Sequence, residues 1–418
     1  MPVIRPFRAL HYALDRFPSL DPLVTQPFDR ITDAMRDQYR ARHPRNFVRL
    51  IRERARAGRS GAARAGATFR RWLRDGTLAR EPSPAFHPYD VTYAAPDGRR
   101  VTRTGFFALL GICGRGVVRP HERTFEGPIR DRLALLRAAR ANTEPILLLY
   151  RDDERAVERL AAGAEPLLTA REGRDVHAVR RLAAPAAIRA VQASLRGRPA
   201  LIADGHHRYA TAARFAAAED ARGAAGDAHR FLLVVLCNVV GNAITIVPTH
   251  RVVRSETGLD ARRLLAALDG RFEATRVAGS RARLLEAVRA EGARGRIAFG
   301  LESRTPAGRW ALRFARDVKR AGGLLDVDVL HQEVIDRHLL ERDERPLENM
   351  DFLKDPDAAG AVVKAGRWDF AFFLNPTRLD EVEDRAARGV PMPRKSTDFQ
   401  PKLLSGLLLR ELYSPPVS

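Results

Sequence analysis

The stretch FLLVVLCNVV (231–240) sets the first limit on what this chain can fold into. It is the longest apolar candidate for a membrane span, and it falls well short of the roughly 18 residues a span needs. A run of this length and composition suits a buried β-strand. A strand needs partners, and the sequence offers several. YDVTYAAPDGRRVTRTGFFALLGI (89–112) reads as a hairpin, with alternating strand residues around a Pro-Asp-Gly turn. PILLLYRDD follows as a second buried strand. RDVHAVRRLAA (174–184) and GRPALIAD (197–204) read as further strands, and NAITIVPTHRVV forms a strand pair with HRFLLVVLCNVV.

Helical segments alternate with these strands. IRDRLALLRAARAN (129–142) carries leucines at helical spacing, and AAIRAVQASL and HHRYATAARFAAAEDA also read as helices. The Arg/Ala stretch 53–80 predicts a surface helix whose charges form a solvated face. Past residue 252, LDARRLLAALDGRFEATRV, RARLLEAVRAEG, RIAFGLES and RWALRFARD read as an inserted α+β unit. DVDVLHQEVIDRHLL (326–340) predicts a mainly structural helix, and residues 361–389 predict helix, strand, turn and helix. With α and β mixed throughout, the expected fold is α+β, with mixed sheets and packed helices. At 418 residues the chain is too long for one ordinary domain. The expected divisions are 1–252, 253–325 and 326–418.

The net charge of +21 first suggests nucleic acid. Yet the arginines are spread along the whole chain with no basic tail, and lysine occurs only at 319, 354, 364, 395 and 402. An arginine-favouring genome gives the same bias, so nucleic acid is a possible partner and not the favoured one. Cys113 and Cys237 make neither a disulfide framework nor a zinc pattern. The N-terminal MPVIRPFRAL lacks a signal-peptide core, and a cytoplasmic protein is the plain reading.

Chemistry concentrates in ADGHHRYATA (203–212). Strand, Asp204-Gly205, then helix is a known way to build an anion site: glycine allows close approach and the first helical N–H groups point outward. His206, His207 and Arg208 oppose the helix dipole there. A bound phosphate would reverse that objection by pairing with them. The alternative is a helix start whose histidines cap neighbouring backbone groups. VVRPHERT (117–124) places His121, Glu122 and Thr124 after a strand, where a carboxylate beside a histidine can take a proton from a hydroxyl. A polar loop with a salt bridge is the alternative. PMPRKSTDFQPKL (391–403) retains Lys395 and Lys402 where this chain otherwise uses arginine, which suggests a need for compact point charges. Ser396 and Thr397 add hydroxyls, but the glycines of a Walker motif are missing. PTHRVV (248–253) offers His250 and Arg251 at a strand end, with a satisfied core histidine as the alternative. No metal-ligand spacing is present.

DGHHRYATA, RTGFFALL, VVRPHERTFEGPIRDRL, IVPTHRVV and MPRKSTDFQPKLLSGLL together resemble, in order and over almost the whole chain, the family called domain of unknown function 1015. That family is distantly similar to the ParB/sulfiredoxin superfamily. The resemblance implies a nucleotide-binding core of that type with a second α/β unit. It also implies that the 205–208 turn holds nucleotide phosphates, and that the activity is phosphoryl transfer from ATP or ADP, with Mg²⁺, to a small hydroxyl-bearing metabolite such as free L-serine. Sulfiredoxins carry a catalytic cysteine in this turn; His206 stands there here, so their chemistry is not expected. Under this reading Gly205, His206, His207, Arg208, Lys395, Ser396, Thr397 and Lys402 bind phosphate. Glu122, assisted by His121, activates the acceptor, with Asp204 or Asp29 as other carboxylates, and Asp29, Thr124, His250 and Arg251 line the substrate. Family members carry Pro-Pro-Tyr-Asp-Val near the N-terminus; here Gln26-Pro27-Phe28-Asp29-Arg30 keeps the aspartate and loses the tyrosine hydroxyl. The competing reading is a nucleotide-binding switch or nucleic-acid-associated protein without turnover.

Overall fold

The computed structural model describes residues 3–112, 117–315, 323–340 and 348–412. Cys113 and the last residues of RWALRFARD lie outside them. The fold is α+β with mixed sheets, and the chain forms two compact units. The first comprises residues 1–120, 124–245 and 401–418; the second comprises 121–123 and 246–400.

The first unit is built on a nine-stranded mixed sheet. The apolar run supplies the strand Phe231–Asn238, buried at every position. It lies between Ile146–Tyr150, to which it is parallel, and Arg100–Gly111, to which it is antiparallel. A strand apolar on both sides needs both faces of its sheet covered. On one face, Phe106, Ile146, Leu148, Val234 and Leu236 pack with Val157, Val191 and Ala212 from three helices. The hairpin around Pro96-Asp97-Gly98 pairs Arg100–Gly111 with His87–Ala94, and Asp175–Arg181 and Glu165–Glu172 extend that side. On the other side Ile146–Tyr150 pairs with Ala200–Asp204.

The Arg/Ala stretch becomes the helix Gly61–Arg74, capped by the Ser60 hydroxyl. Its charges face solvent as expected, but Ala65, Phe69 and Trp72 are buried. Gly66 lets it pack against the helix Glu126–Ala139, since a Cβ there would stand 2.4 Å from the Ala138 carbonyl oxygen.

The second unit is an antiparallel six-stranded sheet, in the order Phe272–Arg276, Ala307–Phe314, Ala298–Arg304, Phe370–Leu374, His250–Val253, Met350–Leu353. Leu284, Val288, Ala359 and Val363 from two helices cover Val252, Ala371 and Phe373. The pairing expected between HRFLLVVLCNVV and NAITIVPTHRVV is not formed. Phe231–Asn238 is already flanked on both edges in the first sheet, and His250–Val253 is flanked in the second. The helix expected over 326–340 is α-helical at Asp326–Leu330 and continues as a π-helix over His331–Leu339. Asp328 accepts the Leu325 amide at 3.2 Å and pairs with Arg385, in keeping with a structural role.

Among the described residues, no helix is long and apolar enough to cross a membrane.

Candidate functional site

The strand Ala200–Asp204 ends where the helix His206–Ala221 begins, and Gly205 joins them in the left-handed region at φ +100°. A Cβ at Gly205 would stand 2.5 Å from Ile146 Cγ2. Both the torsion and the space demand glycine. Gly205→Ala is expected to cost about 2–4 kcal/mol, from backbone strain and overpacking together. Denaturant unfolding of the variant checks this; unchanged stability would show that the turn can relax.

Asp204 resolves the clash of basic residues with the helix dipole. Its Oδ2 accepts Arg208 Nη2, and its Oδ1 accepts Lys402 Nζ. The three side chains are 12, 10 and 9% exposed. Burial alone would raise the Asp204 carboxyl, but Lys402 and then Arg208 outweigh it and hold the group well below the usual carboxylate range. A carboxylate held this low serves as a counter-ion and is a poor proton acceptor. Arg208 also donates to the Pro145 carbonyl. Burial disfavours its charge, while Asp204, Glu144 and Asp29 more than restore it.

Around this pair lies a second tier. Glu144 is buried and accepts the Ser405 hydroxyl at 2.8 Å and the Phe28 amide at 3.0 Å. Arg132 stands 3.8 Å from Glu144 and stacks over the Phe28 ring at 3.8 Å. Arg132, Glu144, Arg208, Thr211, Ala212 and Leu232 line part of one shallow concavity. The turn Phe28–Arg30 carries Asp29 at the surface, and both Asp29 and Arg30 act electrostatically on the Asp204–Arg208 pair. Phe28, with no hydroxyl to offer, presents its ring to the Arg132 guanidinium.

The remaining first-unit candidates take other places. His207 accepts the Phe125 amide on its Nε2 at 3.1 Å, so it helps to start the helix Glu126–Ala139. His206 is buried, and Thr124 is exposed.

The second unit holds His121, Glu122, His250, Arg251, Lys395, Ser396 and Thr397. His121 is fully buried; its Nε2 meets Thr397 Oγ1 at 2.9 Å and its carbonyl accepts the Met392 amide at 2.8 Å. Glu122 forms a parallel bridge with Met392. Arg251, 1% exposed, donates to the carbonyls of Thr249, Arg394 (3.0 Å) and Lys395 (3.3 Å). Burial pushes Arg251 down to about 9, with Glu122 acting in the opposite sense. It therefore shapes the loop in which Lys395 takes φ +55° and Ser396 Oγ bonds the Pro393 carbonyl at 2.6 Å. His250 accepts the Leu374 amide at 3.3 Å and packs edge-on to Phe373; burial lowers it to about 4. It is a satisfied core histidine.

The structure thus brings together Asp204, Arg208 and Lys402 in one unit, and His121, Glu122, Arg251 and the 394–397 loop in the other. Sequence reasoning missed Glu144, Arg132 and Ser405. The one signal for Glu144 is its position, a lone acid just ahead of the all-apolar strand Ile146–Tyr150. Among the described residues, no group of three or more His, Cys, Asp or Glu could hold a metal ion.

A mixed α+β protein with a cationic strand-to-helix turn is the class these features define. The chain matches the family described as "Protein of unknown function (DUF1015)" over residues 4–329, and it belongs to that family. No curated protein sequence matches it. Among solved structures it is similar to a free serine kinase in complex with AMP, at 14% identity and TM-score 0.36, over 70% of this chain and 86% of that one. It is also similar to a conserved hypothetical protein from Pyrococcus furiosus, at 14% identity and TM-score 0.34, over 70 and 90%. A third is SbnI from Staphylococcus aureus with a C-terminal truncation, at 13% identity and TM-score 0.32, over 72 and 85%.

Proposed function

We propose that the protein is a nucleotide-dependent phosphotransferase acting on a small hydroxyl-bearing metabolite, with free L-serine the first acceptor to test. The observation that carries the reading is the Asp204–Arg208–Lys402 cluster at the start of a 16-residue helix. Four cations, Arg30, Arg132, Arg208 and Lys402, stand there with three carboxylates, Asp29, Glu144 and Asp204. The surplus positive charge, the outward N–H groups and the glycine turn together suit a phosphate chain. Lys402 and Arg208 would balance the charge that develops on the moving phosphoryl group. From the resemblance alone, Glu122 is the candidate acceptor of the hydroxyl proton, and Lys395, Ser396 and Thr397 are candidate phosphate contacts. Mg²⁺ would enter with the nucleotide phosphates.

The test is a thermal-shift screen against ADP, ATP, CTP and GTP, because a ligand that prefers the folded state raises stability by mass action. Arg208→Ala is expected to weaken nucleotide binding at least tenfold, about 1.4 kcal/mol. A folded Arg208→Ala protein with wild-type nucleotide affinity would sink the proposal. The net charge of +21 favours one second reading, a nucleic-acid-associated nucleotide switch. A steep fall of DNA affinity with salt, without phosphoryl transfer, would select it.

A further inference from the structure

The positive charge of this chain is unevenly placed. Residues 30–74 carry 14 arginines against three carboxylates, a surplus of 11 that is more than half of the net +21. Residues 246–400 also prefer arginine to lysine, 24 to 4, yet their 28 cations face 25 Asp and Glu. An arginine-favouring genome replaces one cation by another; it does not gather unbalanced charge in one segment. Surplus charge of one sign repels itself, so a fold that keeps it in one place needs a reason for it.

The segment folds into three helices of the first unit, Asp33–Arg42, Val48–Ile51 and Gly61–Arg74. Some of its arginines are paired within the fold. Arg36 and Arg54 reach Asp33 at 2.8 and 3.3 Å, and Arg42 reaches Glu172 at 2.9 Å. Six others, Arg49, Arg56, Arg59, Arg70, Arg71 and Arg74, make no ion pair among the described residues, and all of them but Arg49 are exposed. Arg49 is half-buried, and its Nε has no hydrogen-bond partner.

Even the paired arginines are short of anions. Glu53 accepts Arg40 at 2.9 Å and stands 3.5 Å from Arg64. Burial and then Arg40 disfavour the charge of Arg49; Glu53 acts in the opposite sense, and Arg71 adds to the repulsion. Four guanidinia thus gather at one carboxylate. Arg64 and Arg71 are seven residues apart and so share one side of the helix Gly61–Arg74, away from its buried Ala65, Phe69 and Trp72. Ahead of that helix the chain reverses at Ala57-Gly58, at φ +49° and +70°, where Arg56 and Arg59 exchange backbone hydrogen bonds of 3.0 and 3.1 Å. Unpaired arginines therefore stand at both ends of a helix about 21 Å long.

We propose that this helical surface docks the phosphate backbone of double-stranded nucleic acid, without reading its sequence. The inference goes beyond both readings of the 204–208 cluster, since it concerns another surface and holds whether or not the chain transfers phosphoryl groups. Guanidinia present planar forks to phosphate oxygens, and a phosphate beside Glu53 relieves the mutual repulsion of Arg40, Arg49, Arg64 and Arg71. A duplex carries one charge per about 1.7 Å of its axis, enough to face arginines at both ends of the helix. Single strands are held by stacking their bases on aromatic side chains, but Tyr39, Phe47, Phe69 and Trp72 of this segment are at most 2% exposed. A lipid surface takes up apolar side chains beside the basic ones. Among the described residues the exposed large hydrophobics are Val3 and Val390, both outside this segment.

The experiment titrates the full chain against fluorescent DNA and RNA duplexes and follows anisotropy from about 50 to 200 mM chloride. Wild type is expected to bind duplexes of unrelated sequence alike, with a slope of log affinity against log salt of about −3 or steeper. The triple variant Arg56→Gln, Arg59→Gln and Arg71→Gln should bind at least about tenfold more weakly, and its slope should be shallower by about 2–3. Should the triple variant fail to fold, the pair Arg56→Gln and Arg59→Gln carries the test, with a slope shallower by about 2. Arg283→Gln with Arg289→Gln, two exposed positions on the helix Arg281–Ala293 of the second unit, should leave affinity at the wild-type value. Failure of both duplexes to bind overturns the inference, as does wild-type affinity in the triple variant or an equal loss in the second-unit control. Tighter binding to single-stranded DNA, or to vesicles of anionic lipid, overturns it too. The thermal shift by ADP, which the triple variant should leave unchanged, keeps failure here apart from failure of the nucleotide reading.

Discussion

Asp204→Asn is expected to destabilise the protein by about 3–5 kcal/mol, the cost of leaving buried cations without their carboxylate. Asparagine keeps the shape and one acceptor oxygen, but Arg208 and Lys402 would then stand side by side, about nine-tenths buried, with no charge between them. Glu144 and Asp29 act on Arg208 and soften the loss without abolishing it. The effect carries a pH signature. The Asp204 carboxyl is depressed in the folded protein, so the unfolded chain binds its proton first as pH falls. The stabilisation is fully present above the unfolded value of about 3.9 and is lost progressively below it. The stability difference between wild type and Asp204→Asn, read by urea unfolding, should therefore be constant from neutral pH to about 5 and shrink towards acid. An equally stable variant, or a gap that widens in acid, would show that Asp204 does not hold the cluster together.

Glu122→Gln is expected to lower turnover by roughly 10²–10⁴-fold, the usual contribution of a positioned general base. The substitution also removes the carboxylate that acts on the buried Arg251, so the stability of the variant is read beside its kinetics. Main-chain pairing with Met392 holds the backbone, and the neighbouring His121 is fixed by Thr397 and by its own carbonyl contact. Gln keeps the size of the side chain while removing the proton acceptor. Nucleotide affinity should stay within a factor of about two, because the proposed phosphate groups at 204–208 and 402 are untouched. Kinetics of phosphoryl transfer to L-serine, run beside a nucleotide titration, separate the two effects. Turnover near wild type would take the role from Glu122 and leave Asp29 as the next carboxylate, since Asp204 is committed to two cations.

Elements whose signal is local were readable in the sequence. The helix HHRYATAARFAAAEDA, the hairpin around Asp97-Gly98 and the strand in PILLLY stand where pattern and turn chemistry put them. What was not readable depends on pairing across long separations. Nothing in HRFLLVVLCNVV says that its neighbours are Arg100–Gly111 and Ile146–Tyr150 and not the next strand along the chain. The same divide runs through the site. Asp204, Gly205 and Arg208 announce themselves as one short motif, and the scarcity of lysine singles out Lys402. Glu144 and Arg132 carry no such mark. Each is one charged residue among many in a chain with 72 Lys and Arg, and only burial and register separate them from the surface.

The separation of 198 residues between Asp204 and Lys402 has a consequence for biosynthesis. At about 5–20 residues per second, a ribosome takes on the order of 10–40 s to travel from one to the other. Throughout that interval the nascent chain already contains the strand, the turn and the helix of the cluster, but not the lysine that completes it. The loop to be closed is long, and its closure waits on late synthesis. Chains that stop before residue 402 would present Asp204 and Arg208 without their third member. In the proposed function the phosphate site would be complete only once residue 402 has been made and has folded back onto Asp204.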